Sequence, residues 1–369
     1  MISRLFIKGF IAAMSASIAL PQAGASADPA RPATKIVPLY VSTSRPLVML
    51  TIGDNAPLPV VFDTGTDENI LDSTYAKRAG LKIVGHSPLT DGATGKSTEV
   101  PVAAIPDPRL SGVALDIKTA QLLDYRARDE GGIFGPYSFG DRYVVVEAAL
   151  NRLRIIPKNS GFVPPGPGHA YKDNLPAVEI NVGGQRLEAH IDSGNDSQLV
   201  LGGDLVKTVA LKAPAKVVGV AKSALGEREV LGGELAGSLV VGSYELPGPD
   251  VTFFAQGSGA NIGFPVIRHL TIVLDPANKR SWVLDPAAGP APFSDFTGQF
   301  GPRSIRLENG KLIHQREGRP AFELKYLGGD LFENPTTGDR IQFFRKDGRV
   351  VRLELITADG QVAPAERTS

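Results

Sequence analysis

The chain has 369 residues, in which 39 Lys and Arg balance 39 Asp and Glu, and it has no cysteine. A neutral chain sets up no long-range field toward nucleic acid or anionic lipid, so neither is expected as a partner. The missing thiols exclude a disulfide framework and a lipidated cysteine behind a leader, and make an oxidising compartment harmless.

Arg4 and Lys8 stand ahead of an apolar run that ends in small residues, the layout of a secretory signal peptide. Cleavage is expected after Ala25-Ser26-Ala27, before Asp28, with Ala23-Gly24-Ala25 as the near alternative. The apolar run is short for a bilayer span and no later stretch could make one, so a periplasmic or secreted protein without a membrane span is expected. Removing 27 of 369 residues leaves 342, enough for two or three domains at about 100–200 residues each. With 41 Gly, 29 Pro and short apolar runs such as LVMLTIG and RYVVVEAAL, the chain reads as mostly β, many short strands joined by tight turns.

The chain repeats itself. PLPVVFDTGTDENILDSTYAKRAGLK, ending at Lys82, parallels QRLEAHIDSGNDSQLVLGGDLVKTVALK, ending at Lys212. Each copy reads strand, Asp-hydroxyl-Gly turn, apolar strand, short helix. In the first copy the helix is predicted over Ser73 to Ala79, with Asp72 as N-cap and Gly80 as stop; Asp204 is expected to act as Asp72 does. GIFGPYSFGDRYVVVEAALNRLRII and NIGFPVIRHLTIVLDPANKRSWVL close the copies, each running from an apolar-Gly step into a hairpin. The halves are placed at 36–160 and 172–288, with the Gly- and Pro-rich stretch NSGFVPPGPGHAYKDNLP as linker. Beyond Pro286, Asp347-Gly348 and Asp359-Gly360 look like hairpin turns in a small antiparallel β domain over 296–367. The repeat is complete by Leu284, so this domain is expected to be separable. In pattern it resembles the lipocalin-like β domain appended to some bacterial serine hydrolases, a likeness that implies no activity.

A lone Asp-Ser/Thr-Gly arises by chance in about one chain in six of this length. Here Asp63-Thr64-Gly65 and Asp192-Ser193-Gly194 each follow an apolar strand at the same place in a repeat. Hydrolysing an amide without a covalent intermediate needs one group to take a proton from water and another to protonate the carbonyl oxygen. Two close carboxyls sharing one proton do both. Glycine lets the two turns approach, and the hydroxyls of Thr64 and Ser193 can tie each turn to the other.

On these motifs the chain resembles the retropepsin-like aspartic peptidases, as a single-chain, two-lobe bacterial form covering most of 36–288. The resemblance implies two closed, barrel-like β lobes with the Asp63 and Asp192 loops at their interface, and these two aspartates as the catalytic pair. It implies Thr64 and Ser193 as a cross-lobe grip, and Ile133-Phe134-Gly135 and Asn261-Ile262-Gly263 as segments that brace the loops. After the glycine the family carries Ala, Ser or Thr; Thr66 conforms and Asn195 departs, although an Asn amide is able to hydrogen-bond the carboxylate. Flap candidates are the Gly-containing turns at Asp91, Gly92 and Gly95 and at Leu225 and Gly226.

Other signals lead elsewhere or nowhere. The segment GATGKST resembles a phosphate-binding loop, but the glycine spacing before Gly95 is too short. His190 shares a strand face with Asp192 and reads as a packing residue. Neither HExxH nor GxSxG is present, so zinc and serine hydrolase chemistry are unsupported and no cofactor or metal is expected. The expectation is an endopeptidase, active as a monomer, that binds an extended peptide or protein segment between its lobes. Two rivals are a catalytically silent peptide-binding module of the same fold and a dedicated processing protease for one envelope protein.

Overall fold

A computed structural model of the chain describes residues 33–42, 45–90, 97–124, 130–223, 226–254, 259–284, 293–328, 330–346, 348–357 and 361–368. The expected leader, residues 1–27, lies outside them, as do Asp347 and Asp359-Gly360. The described chain is mostly β, as its short apolar runs predict. Among the described residues no helix is long and apolar enough to cross a membrane.

Two large sheets share one strand order. The first runs Ile83–Thr90, Ser97–Ala104, Thr119–Leu123, Ile70–Asp72, Gly132–Phe134, Leu58–Phe62, Arg45–Ile52, Pro108–Leu110, Val113–Ala114. The second runs Lys216–Ser223, Gly226–Glu234, Asp250–Phe253, Leu199–Leu201, Ala260–Gly263, Gln185–Asp192, Ala177–Val182, Ser238–Val241, Tyr244–Pro247. The strand that leads into each Asp-hydroxyl-Gly turn is central in its sheet. It pairs in parallel with the brace strand, Phe62 opposite Phe134 in one half and Asp192 opposite Gly263 in the other. Central position explains composition: Val60, Val61 and Phe62 are all buried, a continuous apolar run covered on both faces.

The helix after the first turn spans Ser73–Arg78; Asp72 caps it by accepting from the Tyr75 N–H at 2.7 Å, and Gly80 leaves it with φ +65°. The second copy departs from expectation. There the turn is a 3-10 helix, Gly203–Lys207, whose cap position is Gly202, so Asp204 sits in the first turn and caps nothing. The glycine pair ahead of Asp204 moves the helix start back and leaves the cap without a side chain.

The hairpins that close the two halves pair with each other. Arg142–Glu147 lies antiparallel to Thr271–Asp275, with Val144 opposite Leu274, at the centre of a six-stranded sheet that also takes in Lys35–Pro38, Arg152–Pro157, Arg280–Leu284 and His169–Ala170. Alternation sorts its side chains: Val144, Val146 and Leu274 join the core shared with both large sheets, while Val145 and Val273 face the other way. On that outer face the expected linker is docked. Phe162 meets Tyr143 edge-on at 5.4 Å, the Trp282 indole N–H donates to the Gly166 carbonyl at 3.2 Å, and Tyr171 N donates to the Lys279 carbonyl at 3.0 Å. Pro and Gly here shape a covering segment.

Residues 293–368 form sheets of four and five strands, antiparallel throughout, around a core of their own that includes Phe296, Phe300, Phe332 and Phe343. This region leans on the six-stranded sheet. The Asn151 amide donates to the Thr357 carbonyl at 2.9 Å, and Glu354 approaches Arg152 at 3.6 Å, which is itself bound to Glu147 at 2.6 Å.

Candidate functional site

Each Asp-hydroxyl-Gly turn begins where a central strand runs out. The Asp63 N–H donates to the Phe134 carbonyl at 3.0 Å, the last rung before the chain turns. Within the turn, Asp63 Oδ1 accepts from Gly65 N at 2.7 Å and Asp192 Oδ1 accepts from Gly194 N at 3.1 Å, the local bond that suits Asp to such a turn.

Four hydrogen bonds lock the turns together. Thr64 Oγ1 donates to the Ile191 carbonyl at 2.6 Å and accepts from Ser193 N at 3.0 Å; Ser193 Oγ donates to the Phe62 carbonyl at 2.7 Å and accepts from Thr64 N at 3.0 Å. Thr64 and Ser193 are wholly buried, so each bond replaces one to water that the site denies. The pattern is two-fold symmetric, as the sequence repeat requires.

The grip sets the carboxyls side by side. The Gly194 N–H reaches both, at 3.1 Å from Asp192 Oδ1 and 3.2 Å from Asp63 Oδ1. A Cβ on Gly65 would lie 2.6 Å from Asp192 Oδ1, and one on Gly194 would lie 2.9 Å from Asp63 Oδ1, so neither position admits a side chain. The brace glycines are tight for the same reason: a Cβ on Gly135 would lie 2.7 Å from the Thr66 carbonyl, and one on Gly263 2.6 Å from the Asn195 carbonyl. Glycine in both motifs is thus a matter of close approach.

Electrostatics act strongly on Asp63. Burial foremost, then the charge of Asp192 and the hydrogen bond between the two carboxyls, push Asp63 well above the usual carboxylate range, against the opposing effect of the Gly65 and Gly194 N–H donors. Asp63 therefore keeps a proton where an ordinary aspartate has lost it. Arg45 lies 3.4 Å from Glu130 in a largely buried contact, and 4.0 Å from the exposed Asp196, where solvent screens the pair.

Thr66, expected beside Asp63, turns away: its hydroxyl accepts from Glu68 N and donates to the Glu68 carbonyl, both at 3.1 Å. The Asn195 side chain does not reach the carboxylate either, a correction to its expected role. Ser197 N captures Asn195 Oδ1 at 2.9 Å, which aims Asn195 Nδ2 at Asn261 Oδ1, 2.8 Å away. The main-chain N–H of Asn195 does bond Asp192 Oδ1, at 3.1 Å. Asn261 is the residue that motif reading missed. It lies in a brace segment read as apolar, yet its Nδ2 donates to Asp192 Oδ2 at 2.7 Å. The signal was there, since a polar residue stands where the first half has Ile133.

His190 is half-buried, and its Nε2 is shut from solvent without a partner among the described residues, which suits a packing ring. Flap candidates Asp91, Gly92, Gly95 and Leu225 lie outside the described residues. The described strands on either side are paired antiparallel, Thr90 opposite Ser97 and Ser223 opposite Gly226. Both hairpins open on nearly the same sequence, Lys82-Ile83-Val84-Gly85 and Lys216-Val217-Val218-Gly219, which differ only as Ile and Val at the second place, and both slip register between the second and fourth residues. Repeat comparison carried past Lys82 and Lys212 finds this match too.

No protein-family model matches this chain, and no curated protein matches it.

Proposed function

We propose that the protein is an exported aspartic-type endopeptidase of the retropepsin-like kind, with the two large sheets as its lobes and Asp63 and Asp192 as its catalytic dyad. The observation that carries the reading is the interlocked pair of turns: equivalent places in a repeat supply two carboxyls that share one N–H donor, and burial beside its partner holds one of them, Asp63, well above the usual carboxylate range. In this reading a water between them loses a proton to Asp192 as its oxygen adds to the scissile carbonyl carbon. Asp63 gives its proton to the carbonyl oxygen, and collapse of the diol with protonation of the leaving nitrogen releases two peptides. The substrate lies extended, held by strand-like main-chain hydrogen bonds.

A cleavage assay on a mixed peptide library tests it, run across pH with Asp63→Asn, Asp192→Asn and the double variant. Because the pair acts as one unit, all three should lose activity to nearly the same extent, and the wild type should follow a bell in pH whose limbs belong to the pair. Full activity in either Asn variant would sink the assignment. Binding of a statine-type transition-state mimic would favour an enzyme over a silent peptide-binding module.

A further inference from the structure

The two halves of the dyad differ in one respect that the repeat does not require. Along the second half runs a chain of side-chain amides: Ser197 N to Asn195 Oδ1 at 2.9 Å, Asn195 Nδ2 to Asn261 Oδ1 at 2.8 Å, Asn261 Nδ2 to Asp192 Oδ2 at 2.7 Å. Its direction is forced. A main-chain N–H can only donate, so Asn195 must present oxygen to it and nitrogen to Asn261, and Asn261 in turn must present nitrogen to Asp192. At that last link the carboxyl can accept and cannot donate. A proton on Asp192 Oδ2 would face an N–H head-on.

We infer that Asn261, oriented by Asn195, is a positioning residue that makes Asp192 the base of the dyad and leaves the proton with Asp63; the inference rests on the peptidase reading above. Asp192 holds three donors, Gly194 N and Asn195 N on Oδ1 and Asn261 Nδ2 on Oδ2, a setting that suits an oxyanion. Among the described residues the main-chain donors to Asp63 are Gly65 N and Gly194 N, both on Oδ1, and the residue matching Asn261 is the apolar Ile133. The other charged or titratable groups near Asp192 are Asp63 across the dyad, His190 two residues back on its own strand, and Asp196 four residues on, which lies 4.0 Å from Arg45, itself 3.4 Å from Glu130. Among the described contacts the only one of these to hydrogen-bond it is Asp63. Asn261 is 9% exposed, so water does not readily take its place if the amide is removed.

The experiment follows both carboxyl carbons by NMR in protein labelled with 13C at Asp, in wild type, Asn261→Leu, Asn261→Ser, Asn195→Ser and the Asn195→Ser/Asn261→Leu double variant, with Asp63→Asn and Asp192→Asn fixing the assignments. Removing one charge-assisted donor should raise the Asp192 midpoint by about one pH unit, a tenfold change in proton affinity. Asn195→Ser should move it the same way and less, and the double variant no further than Asn261→Leu. If Asn261→Leu fails to fold, the two Ser variants carry the test. The acid limb of kcat/KM for peptide cleavage should shift in step. An Asp192 midpoint unmoved or lowered in the folded variants overturns the relay, even in a protein that cleaves peptides. A midpoint that moves in a protein cleaving nothing keeps the relay and removes the peptidase reading.

Discussion

Replacing Thr64 by Val keeps the branched shape and removes one oxygen. That oxygen holds two bonds, to the Ile191 carbonyl at 2.6 Å and from Ser193 N at 3.0 Å, and both partners are main-chain groups in a pocket where Thr64 and Ser193 have no exposed surface. Each group left unsatisfied costs about 1–3 kcal/mol, so the pair should cost about 4 kcal/mol. At about 2–4 °C per kcal/mol for domains of this size, the melting temperature should fall by about 8–16 °C. Thr64→Ser restores the hydroxyl and loses a methyl, and should cost only about 1 kcal/mol. Urea and thermal unfolding of both variants, with Ser193→Ala added to complete a double-mutant cycle, measure this. Since Ser193 Oγ is bonded to the same turn, the two losses should fall short of additive by at least about 0.5 kcal/mol. A Thr64→Val protein within 1 kcal/mol of wild type, or strict additivity, would show that the four bonds are not one buried unit.

Asp63→Asn should gain stability relative to wild type as pH rises. The raised carboxyl binds its proton more tightly folded than unfolded, so wild-type stability from this group is full below the ordinary aspartate range, near pH 4, and is lost as pH climbs through the folded value. An Asn side chain has no such loss, and a melting difference flat in pH would refute the burial argument. Truncation after Pro286 should leave the two large sheets folded but less stable, because Asn151 loses its Thr357 partner and Arg152 loses Glu354. Identical melting of the truncated and full-length chains would show that residues 293–368 contribute nothing to the remainder.

Much of the fold was legible because it follows from local pattern. Short apolar runs cut by Gly and Pro demand many strands, and a segment compared with itself shows two copies before any contact is known. The Asp-hydroxyl-Gly turns announced themselves because each follows an apolar strand at the same place in a repeat, and Asp72 marked a helix start because its side chain caps three residues on. Other features were decided only in three dimensions. Pairing of the two closing hairpins, with Val144 opposite Leu274, joins residues 130 apart, and nothing in either hairpin alone names its partner. The Pro-rich segment after Asn159 reads as a free linker until Tyr143 and Trp282 offer it a surface. Asp204 fails as a cap because the glycines before it reset the helix start, a one-residue matter that propensity does not resolve. Asn261 is the clearest case. Its strand identity was legible, but its partner lies on another strand 69 residues away. A hydrogen bond that orients a carboxylate is a property of directions in space, which the order of residues along a chain does not contain.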